Sequence, residues 1–114
     1  MLEYRQFQPE DAEQCYQFID ALCGEVARGS VEGFEELPED LRDRIVDLIT
    51  KRTHEENVEA MYCIVAQAGE DLLGMGALDD SKIKRMYVRP SQRGHGIGTA
   101  IYKRLETEAY RRRL

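Results

Sequence analysis

Apolar positions divide the chain into four predicted strands and three predicted helices. Runs that alternate, or that are continuously apolar and β-branched, predict strands over residues 2–8, 61–68, 72–78 and 83–88. Apolar positions at spacings of three and four predict helices over residues 10–28, 38–51 and 99–113. Turn sequences at 69–71 and 79–81 separate the last three strands, so we expect these strands to follow one another as hairpins.

The first two helices each carry one apolar stripe, which predicts a face turned towards the core. Residues 29–38 show no such period and predict a loop, with Phe34 packing beneath it. The expected core stripes consist of Ala12, Cys15, Ile19, Leu22 and Val26 in the first helix, and of Leu41, Ile45, Leu48 and Ile49 in the second.

Three alternating glycines lie between the last predicted strand and the last predicted helix, in the segment Arg93-Gly94-His95-Gly96-Ile97-Gly98. Glycine takes a positive φ without strain, so successive backbone N–H groups can converge on one anion. The helix that follows adds the positive end of its dipole. The guanidinium of Arg93 is always charged and can bind a phosphate bidentately. The segment predicts a pyrophosphate site, and the alternative is a plain connector between a strand and a helix.

Two common glycine motifs do not fit this segment. A dinucleotide-binding loop has the pattern G-x-G-x-x-G, but Thr99 stands where its third glycine belongs. A nucleoside triphosphate loop ends in Gly-Lys-Ser/Thr, and the chain contains no such tripeptide. Neither a dinucleotide nor a nucleoside triphosphate is therefore indicated.

The pattern that does fit is Arg/Gln-x-x-Gly-x-Gly/Ala, met by Arg93, Gly96 and Gly98. It resembles the acetyl-CoA loop of the GCN5-related N-acetyltransferase (GNAT) superfamily, and residues 83–90 and 99–108 resemble the strand and helix around that loop. The resemblance implies an α/β (α+β) fold in a single domain over residues 1–114. In that fold a mostly antiparallel mixed sheet of about four strands is flanked by three helices.

The resemblance also implies a reaction and a set of cofactor contacts. Members transfer an acetyl group from acetyl-CoA to a primary amine by direct attack, so no covalent acyl-enzyme forms and Cys63 is not a nucleophile. The amine belongs to a small molecule or a peptide. The Val88 N–H would polarise the acetyl carbonyl, and the loop amides would bind the pyrophosphate. The implied cofactor-binding residues are Met86, Tyr87, Val88, Arg93, Gly94, His95, Gly96, Ile97, Gly98 and Thr99, with the His95 side chain in solvent.

The catalytic residues cannot be assigned by this resemblance. Many bacterial members carry a glutamate just before the strand that leads into the loop, whereas this chain has Lys82. Asp79 and Asp80 lie nearby, but paired aspartates between two strands usually form a turn. We expect packing or surface roles for Tyr102 and Tyr110, and no residue is assigned as the general base.

The family normally continues beyond the last predicted helix with a fifth strand, a further helix and closing strands. The chain is therefore expected to be a C-terminally truncated domain, with strand 83–88 at the edge of its sheet. An exposed edge is a liability for aggregation or invites pairing with a second chain, so we expect either a truncated acetyltransferase or one completed by dimerisation, with a homodimer as the possible assembly. Family members often contact the acceptor between their first two helices, which makes Phe34, Glu35 and Glu36 candidates, and an acidic surface loop is the alternative.

The net charge of −6 conceals a division along the chain. Residues 1–81 carry 6 basic and 20 acidic side chains, and residues 82–114 carry 10 basic and 2 acidic ones. The basic part suits the phosphates of coenzyme A, the acidic part suits a cationic amine, and the overall acidity disfavours nucleic acid. Alternatively, Arg111, Arg112 and Arg113 simply suit a helix C-terminus.

Cysteine, histidine and hydropathy patterns bear on the redox state, metal binding and location of the protein. Cys15, Cys23 and Cys63 lie within apolar patterns, which predicts reduced core residues. His54 and His95 form no metal-ligand spacing, so no metal is expected. The chain shows neither a signal-peptide pattern nor a run of roughly 20 apolar residues, which predicts a cytoplasmic location away from membranes. The competing functions are a non-catalytic module that binds CoA or a protein, and a fragment that neither binds nor reacts.

Overall fold

Four strands form an antiparallel sheet in the order in which they occur in the chain, β1-β2-β3-β4. The computed structural model describes residues 2–55, 61–80 and 82–113, and within these ranges it has four strands and three α-helices. Their bounds are β1 Leu2–Gln6, α1 Ala12–Ser30, α2 Glu39–Glu55, β2 Tyr62–Ala68, β3 Asp71–Asp79, β4 Lys82–Val88 and α3 Ile97–Arg113. The predicted number, type and order of these elements are confirmed. Residue 81 and the side chain of His54 lie outside the described residues.

The sheet separates two apolar clusters, because successive side chains of a strand point to opposite faces. On β2, Cys63 and Val65 belong to one cluster and Ile64 and Ala66 to the other. The first cluster is completed by α1, and the second by Ile97, Ile101 and Leu105 of α3. The fold therefore has three layers, with α1 and α3 on opposite faces of the sheet.

The stripe of α1 is rotated from its predicted position. Its buried apolar residues are Cys15, Phe18, Ile19, Cys23 and Ala27, which follow one another at spacings of one, three and four. Val26 is 45% exposed, because each residue turns about 100° around a helix and the buried line runs through its neighbour. The prediction that Val26 lies in the core is wrong.

Helix α2 is less buried than its apolar residues predict. Ile45 and Ile49 are partly buried, whereas Leu41 is 40% and Leu48 69% exposed. The reason is that α2 packs mainly along α1, so only a narrow strip of its surface is covered. The predicted burial of Leu41 and Leu48 is wrong.

The connection between α1 and α2 is shorter than predicted. Helix α1 continues to Ser30, and Gly33 turns the chain with a φ of +69° into a 3₁₀ turn at Phe34–Glu36. Phe34 is buried there, as expected. Cys15, Cys23 and Cys63 are free and buried, which agrees with the prediction of reduced core cysteines.

An ion pair fixes the segment that leads from β1 into α1. The Arg5 guanidinium donates to both carboxylate oxygens of Asp11 at 2.8 Å, and the Gln8 N–H donates to the same carboxylate at 2.7 Å. The Arg5 Nε donates to Gln67 of β2 at 2.8 Å. These contacts lower the pKa of Asp11 below its ordinary value, chiefly through the hydrogen bonds from Arg5.

Gly76 of β3 lets α3 approach the sheet closely. A Cβ at this position would collide with the sulfur of Met86 and would lie 2.8 Å from Ile101 Cγ2 and 3.0 Å from Leu105 Cδ1. Since these three side chains fill the interface between the sheet and α3, the spacing of the two layers depends on the missing methyl group.

We expect Gly76→Ala to lower the free energy of unfolding by about 1–3 kcal/mol, because it overpacks this interface. Gly29→Ala is the matched control, since its Cβ would meet no heavy atom within 4 Å and α1 would gain a better helix former. Urea denaturation of both variants measures the difference. Equal stability of Gly76→Ala and the wild type would contradict the packing described here.

We also expect Asp11 to contribute stability that depends on pH. Because its pKa is lower in the folded state, the contribution is present above the unfolded value of about 3.9 and is lost as the pH falls through the folded value. Thermal denaturation of the wild type and Asp11→Asn should therefore show a gap at pH 7 that closes below about pH 4. The exposed Glu13→Gln serves as control, and a gap independent of pH would contradict the linkage.

Candidate functional site

Strand β4 contains a bulge opposite Gly76 of β3. Met75 pairs with Tyr87 and Ala77 with Lys84, so Gly76 alone lies opposite both Arg85 and Met86. Arg85 takes the extra position with a φ of +57°, which is rare for a residue other than glycine. Its buried guanidinium donates to the carbonyl of Thr53 at 3.0 Å, which ties the bulge to α2.

The far end of β4 directs the backbone groups of Val88 out of the sheet. Arg89 N–H donates to the Leu73 carbonyl at 2.8 Å, so the polar groups of Arg89 face β3. Neighbouring residues of an antiparallel strand direct these groups to opposite sides, so the Val88 N–H and C=O face the free edge. Gly74 permits the close approach here, because a Cβ at that position would lie 2.8 Å from the Tyr87 carbonyl oxygen.

The glycine loop follows β4 and ends in the first turn of α3. A 3₁₀ turn spans Pro90–Gln92, and the Arg93 N–H closes it by donating to the Pro90 carbonyl oxygen at 3.3 Å. Gly94 and Gly96 then take φ values of +85° and +84°. Helix α3 begins at Ile97, two residues before the predicted start. The N–H groups of its first turn have no acceptor within the helix, so they are available to an anion at this end.

Two adjoining depressions bring together nine of the ten predicted cofactor residues. One of about 250 Å³ lies against the loop, and one of about 260 Å³ lies against the end of β4. They share Val88, Arg93 and Gly98, so they adjoin one another, and we refer to the two together as the groove. The tenth residue, His95, lies outside the groove with its Nδ1 3.1 Å from the Gln92 carbonyl oxygen. The remaining residues that line the groove from the predicted set are Met86, Tyr87, Gly94, Gly96, Ile97 and Thr99.

The guanidinium of Arg93 folds back onto the edge of β4. Its Nε donates to the outward carbonyl oxygen of Val88 at 2.8 Å, and its Nη2 lies 2.9 Å from Glu25 Oε1. The Arg93 Cζ also lies 5.2 Å from the centre of the Tyr87 ring. Arg93 therefore closes part of the groove. Its predicted bond to a phosphate stays a prediction.

The sequence analysis missed Gln92 in the loop and, on a different element, Glu25. Glu25 lies on α1, 68 positions before Arg93, in a helix that also carries Glu13 and Asp20. No spacing rule connects it with the glycine loop. Only the packing of α1 against β4 brings its carboxylate to the groove.

A family model for the acetyltransferase (GNAT) domain matches residues 25–114. The chain belongs to the GNAT acetyltransferase family. No curated protein matches the sequence. Among solved structures, a GCN5-related N-acetyltransferase of Rhodopseudomonas palustris superposes with a TM-score of 0.72 at 18% identity, covering 98% of this chain and 68% of its own.

Two further similar structures contain a cofactor. A predicted acetyltransferase of Clostridium acetobutylicum, solved with acetyl-CoA, has a TM-score of 0.63 at 19% identity and covers 100% of this chain and 77% of its own. The PaiA N-acetyltransferase of Thermoplasma acidophilum, solved with coenzyme A, has a TM-score of 0.66 at 15% identity, with coverages of 98% and 74%. These likenesses confirm the predicted GNAT fold.

The other residues considered for GNAT catalysis lie away from this groove. Asp79 forms an ion pair with Lys84 at 3.0 Å, and Asp80 takes a φ of +57° in the turn before β4. Asp79 is the last residue of β3, and Asp80 lies in the turn that follows. Glu35 contacts Arg42 at 3.4 Å on the surface, beside Phe34–Glu36. The acceptor contact predicted for Phe34, Glu35 and Glu36 stays a prediction, as does the homodimer.

The cysteines offer no nucleophile to this GNAT domain. Cys63 is buried in the cluster between α1 and the sheet. The neighbouring Cys63 and burial raise the pKa of the Cys15 thiol, so this thiol stays protonated. Among the described residues, no group of three or more His, Cys, Asp or Glu side chains could hold a metal ion. No helix in the described ranges is long and apolar enough to cross a membrane.

Much of the basic charge of the GNAT domain is used within the protein. Arg89 Nε donates to the Leu72 carbonyl at 2.6 Å, and Arg111 pairs with Glu108 at 2.6 Å. Arg104 and Arg112 stack on aromatic rings of β1 and β2 at 5.2 and 5.4 Å. Five arginines in the basic part, counting Arg85 with these four, therefore have structural partners, so the charge excess does not by itself define a phosphate site.

We expect Gly96→Ala to lower the free energy of unfolding by about 1–2 kcal/mol, because an L side chain is strained at positive φ. The cost is conformational, since a Cβ at Gly96 would meet no heavy atom within 4 Å. Gly98→Ala is the matched control. Its φ is not positive, and its Cβ would make an ordinary 3.5 Å contact with Val88. Thermal denaturation compares the two, and equal stability would contradict the loop conformation.

Proposed function

We propose that this GNAT domain transfers the acetyl group of acetyl-CoA to a primary amine. The observation that carries the proposal is the groove in which the outward N–H of Val88 adjoins the glycine loop and the first turn of α3. An N–H donor at one end and an anion site at the other match the thioester and the pyrophosphate of an acyl-CoA. The structures from Clostridium acetobutylicum with acetyl-CoA and from Thermoplasma acidophilum with coenzyme A support this choice of cofactor.

The loop would bind the pyrophosphate through backbone groups. The positive φ of Gly94 and Gly96 directs the chain around an open concavity, and α3 begins immediately afterwards. N–H groups at a helix N-terminus bind anions through their partial charges and the helix dipole. An amide cradle of this kind selects phosphate without requiring a buried cation.

The thioester would then lie along the free edge of β4. There the Val88 N–H would donate to the acetyl oxygen and stabilise the negative charge that develops on it. The amine nitrogen attacks the acetyl carbon, a C–N bond forms, and the C–S bond breaks. The amine loses its proton and coenzyme A leaves as a thiolate that takes up a proton. We assign neither proton transfer to a residue.

The acceptor is proposed to be an amine because an acidic side chain lines the groove. Residues 1–81 carry the acidic excess, and Glu25 from this part lines the groove. An alkylammonium with a pKa of about 10.4 is charged at pH 7 and would be attracted there. Its deprotonation must then precede attack.

A non-catalytic CoA-binding module is the second candidate. It is favoured by Lys82 at the start of β4, and by the ion pair that holds Asp79 to Lys84. Neither side chain then supplies a free carboxylate at that end of the strand. Such a protein would bind the cofactor and leave it intact.

Calorimetric titration with acetyl-CoA, followed by assay of free thiol after addition of butylamine, 1,4-diaminobutane or lysine amide, tests the proposal. We expect saturable binding and amine-dependent thiol release. Gly96→Ala should weaken binding about tenfold or more through lost hydrogen bonds to a charged group. Gly29→Ala, on α1 and outside both depressions, should bind like the wild type. Binding without thiol release would favour the second candidate, and no binding would contradict both.

A further inference from the structure

We propose that Glu25 binds the ammonium group of the acceptor, and that Arg93 masks Glu25 until the cofactor occupies the groove. The inference rests on the proposed function and adds an acceptor-binding residue and an order of binding to it. Its basis is the set of contacts that Arg93 makes at the edge of β4, with the Val88 carbonyl at 2.8 Å, the Glu25 carboxylate at 2.9 Å and the Tyr87 ring at 5.2 Å.

The Arg93 side chain, where it covers Glu25, and a bound thioester compete for the same edge of β4. The Nε of Arg93 donates a hydrogen bond to the outward carbonyl oxygen of Val88. This carbonyl adjoins the Val88 N–H that the acetyl oxygen would use. An extended cofactor arm along this edge would meet the guanidinium. Binding of the arm therefore requires the Arg93 side chain to leave the strand.

The arginine can move at small cost. The side chain of Arg93 is 45% exposed and that of Glu25 36%, so water screens their ion pair. Arg93 is itself the first residue of the glycine loop segment, so rotation about its side-chain bonds can carry the guanidinium towards the loop. A pyrophosphate there offers two negatively charged groups and bidentate geometry, which a single carboxylate does not match.

Departure of Arg93 changes what the groove can bind. The Glu25 carboxylate loses its cation while it still lines a depression with Met86, Tyr87 and Val88. A carboxylate beside apolar side chains is stabilised by a new cation. A primary alkylammonium fits both features, because its charged end can pair with Glu25 and its chain can contact the apolar side chains. The geometry thus predicts that the cofactor binds first and opens the amine site.

Amine binding with and without coenzyme A tests this order, because coenzyme A lacks the acetyl group and no turnover follows. NMR titrations with butylamine, 1,4-diaminobutane and lysine amide are measured on the free protein and at saturating coenzyme A. We expect at least one of these amines to bind about tenfold or more tightly when coenzyme A is present. By linkage the same amine raises the affinity for coenzyme A by the same factor.

Three variants separate masking from a merely structural role. In Arg93→Ala the site is already open, so amine affinity should no longer depend on coenzyme A. In Glu25→Gln amine affinity should fall about tenfold or more, while coenzyme A binds as tightly as in the wild type or more tightly, because its competitor is gone. Glu13→Gln removes an exposed charge from the same helix and should change neither affinity.

The Nε–H signal of Arg93, assigned by its absence in Arg93→Lys, reports the motion directly and should shift when coenzyme A is added. The proposal is overturned if coenzyme A binds but leaves this signal unmoved. It is also overturned if coenzyme A leaves amine affinity unchanged, if none of the three amines binds, or if Glu25→Gln binds amine like the wild type. In these cases the proposed binding of the cofactor still stands. Failure of coenzyme A to bind at all would instead remove the proposed function, and the masking with it.

Discussion

The bulge at Arg85 is the constraint on which the site depends. One extra residue in β4 places Ile83 and Met86, three positions apart, on the same face of the sheet towards α3. A left-handed conformation at a residue other than glycine costs on the order of 1–3 kcal/mol. The partly buried hydrogen bond from Arg85 to Thr53 offsets part of this cost, and it makes α2 a support of β4 although α2 itself does not line the groove.

Local patterns were sufficient to predict the elements and the loop. Strand periodicity, turn residues and the glycine spacing act within a few positions, so residues 93–98 could be recognised before their φ values were known. The bulge could not be predicted, because Arg85 takes its conformation from partners on β3 and α2. The predicted burial of Val26 and Leu48 was wrong for a related reason. Their spacing was helical, but the line of contact on each helix is set by the neighbouring element.

Within the site, Glu25 shows most clearly what could not be predicted from the sequence. One of three carboxylates on a helix carries no signal in the sequence, and the 68 positions between Glu25 and Arg93 exceed the span of a local motif. The division of charge along the chain was visible in the sequence, but the role of each charged residue was not. Arginines such as Arg85 and Arg111 support the fold, whereas the charges of Glu25 and Arg93 meet in the groove.

The groove thus combines a fixed part and a movable part. The turn at Gly94 and Gly96 and the first turn of α3 are backbone, so their donors are in place before any ligand arrives. Arg93 is a half-exposed side chain whose partners are a carbonyl, a carboxylate and a ring, each of which a ligand can replace. Because each of these partners can be exchanged for a ligand, the position of Arg93 over Val88 and Glu25 is the basis of the proposed order of binding.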